Sequence, residues 1–119
     1  MDDKNNNLEN LNLNSKIVRI DNLVDEQKYK MKKIDELQEQ ISSLNKSLNM
    51  CIALLSRAIN GPTTQNMFND MYENNQSFYA NMASTLDDEL VETRKVISSL
   101  SKEKEDLINE FKKEIKEEE

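Results

Sequence analysis

The 119-residue sequence holds one Gly and one Pro, and they are neighbours, Gly61-Pro62. Ordinary domains carry about 7% Gly and about 5% Pro. Sheet proteins need those residues at their many turns. A chain that concentrates both breakers at one point cannot build hairpin after hairpin. It has one obvious place to stop a helix, and long helices are what remain. The rest of the composition agrees. A third of the residues are charged, 36% are hydrophobic and 5% are aromatic. That is too little apolar surface for a thick core, but enough for narrow helical seams.

The apolar positions before the breaker recur every three and four residues. Ile20 and Leu23 are followed by Ile34, Leu37, Ile41, Leu44, Leu48, Cys51 and Leu55. This is a heptad seam, with a at Ile34, Ile41 and Leu48 and d at Leu37, Leu44 and Cys51. Gln27 and Lys30 interrupt it with polar residues. After the breaker a second seam runs through Tyr72, Tyr79, Ala83, Leu86, Leu90, Thr93, Ile97, Leu100, Lys104, Leu107 and Phe111. Gly61 suits the left-handed residue that closes a helix, Pro62 blocks continuation, and Thr63 or Thr64 can cap the next helix. A second helix is expected from about residue 66 to 116. Ser84-Thr85-Leu86-Asp87-Asp88 looks like a capping box, so a second half of two helices broken near residues 74–84 is the alternative.

The fold class is therefore all-α: two long helices forming an antiparallel coiled-coil hairpin over residues 13–117, with its turn at 60–65. Pairing residues whose numbers sum to 127 aligns the two seams and centres the turn beside the breaker. The alternative is an extended parallel coiled coil, which Ile at a with Leu at d favours. Residues 1–12 form an Asn-rich flexible tail, and 118–119 a frayed acidic end, because acids oppose the helix dipole there.

A second apolar stripe follows the e positions of the first helix, Ile17, Val24, Met31, Ile52 and Ile59. Two-stranded coiled coils carry charge at e. The apolar stripe predicts a further helical partner, most simply a second copy forming a bundle. Met67, Phe68, Met71 and Tyr72 lie just past the breaker, and a Met-rich surface adapts to varied partners.

Several kinds of chemistry lack their residues. There is no His, which removes the Ser-His-Asp and Cys-His machineries. One Cys, placed at a d position, reads as packing and makes neither a disulfide nor a Cys-rich zinc site. One Gly makes no phosphate loop. The net charge of −7 argues against nucleic acid. No window approaches a membrane span, and the polar opening segment lacks the apolar core of a secretory signal. The sequence thus predicts no catalytic residue, cofactor, metal or small-molecule substrate. It predicts a non-enzymatic structural protein, a self-associating scaffold or building block of a larger particle assembled in the cytoplasm, viral particles included. The alternative is an adaptor or chaperone-like subunit that binds partner helices through the Met- and aromatic-rich tip.

Overall fold

The computed structural model describes the backbone of residues 2–118 and the side chains of residues 10–117. It contains two α-helices and, among the described residues, no strand. α1 spans Asp2–Ala58 and α2 spans Pro62–Glu118, each of 57 residues. α1 thus begins inside the Asn-rich opening segment. The side chains of residues 1–9, and the end at 118–119, lie outside the described set of side chains.

The link between the helices is shorter than the expected 60–65, and its chemistry differs. Gly61 does not have a positive φ, so it is not a left-handed helix terminator. Its carbonyl accepts the Gln65 backbone N–H at 2.9 Å, which makes Gly61 the cap residue of α2. Pro62 then occupies the first helical position, where its missing N–H costs nothing and its fixed φ suits a helix. Thr63 and Thr64 lie inside α2 rather than capping it. The end of α1 is closed from across the link by Gln65. Its Nε2 donates to the Ser56 carbonyl at 2.9 Å, and its Oε1 accepts from the Ser56 hydroxyl at 3.0 Å. One side chain thereby satisfies a backbone carbonyl left over at the end of the helix.

The second helix is continuous as expected, and the alternative break is absent: α2 runs through residues 74–84 without interruption. Thr85 donates its hydroxyl to the Asn81 carbonyl one turn back, at 2.9 Å. That is the bond a Thr makes inside a helix, and it replaces the capping box.

The chain divides into two compact units. One unites residues 1–31 with 91–119, and the other is the continuous segment 32–90. In the first unit Ile20 and Thr93 are buried, with Ile17, Val24, Gln27 and Met31 half-buried on α1. Ile97, Leu100, Leu107 and Phe111 are half-buried on α2. Lys104 donates to Asp21 at 2.8 Å. Both side chains are partly exposed, so this pair contributes about 0–1 kcal/mol. In the second unit the core is Ile34, Ile52 and Phe68. Ile41, Leu48, Tyr79, Met82, Leu86 and Leu90 are half-buried around it. Gln38 donates to Asp87 at 2.8 Å, and Ser56 meets Gln65 near the link.

Candidate functional site

The buried face of α1 differs from the expected one, and the difference defines the site. From Ile17 the inward positions run 17, 20, 24, 27, 31, 34, 38, 41, 45, 48 and 52. The alternation of three and four is kept, but the seam is a with e rather than a with d. The d positions Leu23, Leu37, Leu44 and Cys51 are exposed, and so is Leu55 at the end of the a series. The e positions Ile17, Val24, Met31 and Ile52, expected to wait for a partner, lie in the seam instead. Ile59 is exposed beside the link.

The cause is legible in the residues. α1 has a wide apolar arc over d, a and e, and one neighbouring helix covers only part of such an arc. In residues 16–31 the e choice buries Ile17, Val24 and Met31, whereas the d choice would bury Lys16, Leu23 and Lys30. The e choice wins there. In residues 32–52 the a and e positions are again the inward ones. In the second unit this brings Gln38 and Asn45 inward while Leu37 and Leu44 stay 46% and 59% exposed. An open cleft of about 340 Å³ is lined by Gln38, Ile41, Asn45, Tyr79, Ala83 and Leu86. One turn on, Asn49 donates to Asn45 at 3.4 Å, and its own Oδ1 is buried with no bonding partner.

α2 keeps more of its expected face. Leu86, Leu90, Thr93, Ile97, Leu100, Lys104, Leu107 and Phe111 all face inward to some degree, with Thr93 only 1% exposed. Nearer the link, Tyr72 and Ala83 are exposed while Asn75 and Met82 turn inward. Of the residues just past the breaker, Phe68 is a core residue at 6% exposure. Met67, Met71 and Tyr72 are exposed, as is Phe78, which packs edge-on against Tyr79 at 5.6 Å between ring centres.

Leu37, Leu44 and Cys51 are seven residues apart, so they form one stripe along one face of α1, about 21 Å long. Leu54 and Leu55 extend the exposed apolar surface toward the link. From Gln40 to Ser56 the only charged residue is Lys46. The stripe is an exposed apolar row on a segment poor in charge. The thiol of Cys51, expected to be packed away, stands free on it. Periodicity had located both stripes; it could not say which of them the second helix takes. The bonds of Gln65 had no signal in the sequence, because a lone Gln has no fixed capping role.

Among the described residues no group of three His, Cys, Asp or Glu is placed to hold a metal ion, and no helix is long and apolar enough to cross a membrane. Comparison with protein-family models, curated proteins and solved structures found no match.

Proposed function

We propose that this chain is a non-enzymatic structural protein whose two helices fold back on each other as an antiparallel hairpin, and that hairpins associate to build a larger assembly. The observation that carries the reading is the exposed Leu37–Leu44–Cys51 stripe, seam-like in sequence but left outside the seam. The hairpin is supported by contacts in opposite chain order within the second unit, Gln38 with Asp87 and Ser56 with Gln65. It is supported again by Asp21 with Lys104 in the first unit.

If copies associate, the melting temperature rises with protein concentration. A melting temperature independent of concentration contradicts the reading.

The exposed Met67, Met71, Tyr72 and Phe78 favour a second reading, an adaptor that holds the helices of other proteins. An adaptor built for sister chains is poorly folded alone. A self-associating building block gives strong helical circular dichroism and a cooperative melt by itself. No catalytic step, cofactor, nucleic acid or membrane enters either reading. The work is assigned to the cytoplasm or to a particle assembled there.

A further inference from the structure

We infer that the occupant of the α1 stripe is the same stripe of a second copy, running antiparallel, with Leu44 of each chain facing Cys51 of the other. The inference rests on the self-association reading and adds the surface, the direction and the register.

Three observations on α1 lead to it. The first is the absence of charge. Between Gln40 and Ser56 only Lys46 is charged, and it lies on a different heptad position from the stripe. The stripe therefore offers a charged partner nothing to read, and its recognition is apolar.

The second is the distribution of size. The d positions run Leu37, Leu44, Cys51, Ala58, two large residues and then two small ones. An antiparallel copy in which Leu44 faces Cys51 also sets Leu37 opposite Ala58. Large meets small in every layer, which fills space evenly. A parallel copy would stack Leu on Leu and Ala on Ala, leaving the layers unequal in width.

The third is the charge at the two ends of the segment 40–56. Asp35, Glu36 and Glu39 stand before it and Arg57 stands after it. In the antiparallel register Arg57 comes within two residues, about 3 Å along the axis, of the level of Glu36 on the other copy. An Arg side chain spans that offset. Two-fold symmetry repeats the pairing at the other end. Within its own chain Glu36 pairs with the exposed Lys33, at 3.2 Å one turn away. A parallel copy would set Arg57 against Arg57 and Glu36 against Glu36. Like charges across an interface select against that arrangement.

The native thiol makes the register testable. A disulfide needs Cα atoms within about 7 Å. In the inferred register the two Cys51 residues are seven residues apart along the axis, about 10 Å, so they do not bridge. The Leu44→Cys variant, which keeps Cys51, brings two pairs of thiols face to face. The same offset of about 10 Å prevents residues 44 and 51 of one chain from bridging each other. Both proteins would be oxidised gently at micromolar concentration, run on a non-reducing denaturing gel, and examined in reduced form by sedimentation equilibrium.

The expected result is a two-fold rise in gel mass for Leu44→Cys and none for the native chain. A second variant, Leu37→Cys with Ala58→Cys in a Cys51→Ala background, tests the neighbouring layer independently and should also double in mass. A native chain that cross-links through Cys51 overturns the antiparallel register. A reduced protein that sediments as a dimer while neither variant cross-links overturns the surface but leaves self-association standing. A protein that sediments as a monomer overturns both and leaves the stripe to a different partner.

Discussion

Gly61 has a role opposite to the one its type suggests. It caps the start of α2 with an ordinary negative φ, and a Cβ built on it meets only the Thr64 hydroxyl oxygen, at 3.6 Å. Nothing in the fold requires glycine there. Ala is disfavoured relative to Gly at a helix N-cap, which opposes the gain of about 0.4–1 kcal/mol from restricting the unfolded chain, so Gly61→Ala is predicted to change stability by less than about 1 kcal/mol. A larger loss in chemical denaturation, as expected for a left-handed residue, contradicts this assignment. The seam makes a contrasting prediction. Ile34 is 5% exposed, and its truncation to Ala should cost about 2–5 kcal/mol. Val18→Ala, on the outer face of the same helix, should change stability by less than about 0.5 kcal/mol. Equal effects at the two sites, measured by denaturant unfolding, would mean that the seam does not face where the structure places it.

Two uninterrupted helices follow from the scarcity of breakers, and the place of the link follows from Gly61-Pro62. Those features were legible because helix interiors exclude both residues for local, backbone reasons. The inward face was legible only in part. The a positions from Ile20 to Leu48 face inward as the spacing indicates, so Ile20, Ile34, Ile41 and Leu48 could be read directly, whereas Leu55 is exposed. The choice between d and e depends on which side the second helix lies, which is a tertiary fact. It is settled by Ile17, Val24 and Met31 against Lys16, Leu23 and Lys30, a comparison across 16 residues rather than a local pattern. The alternative of a break near residues 74–84 is not taken up, and Thr85 satisfies its hydroxyl inside the helix.

The hairpin itself is testable at this scale. Spin labels at Ser43 and Ser84, in a Cys51→Ala background diluted with unlabelled chain, should lie roughly 10–20 Å apart if the helices pack side by side. In an extended rod the 41 intervening steps would separate them by about 60 Å. A distance near the larger value rules out the hairpin.

At the scale of the whole molecule, the account rests on surface left uncovered. Two helices with narrow seams give a small chain little stability of its own. The stripe at Leu37, Leu44 and Cys51 offers further burial that α2 does not provide. Sedimentation equilibrium of the unmodified, reduced chain at micromolar concentration tests this most directly. The account predicts a mass of at least twice 13.9 kDa, returning to 13.9 kDa when Leu44 is replaced by Lys. A native chain that sediments at 13.9 kDa throughout would contradict it.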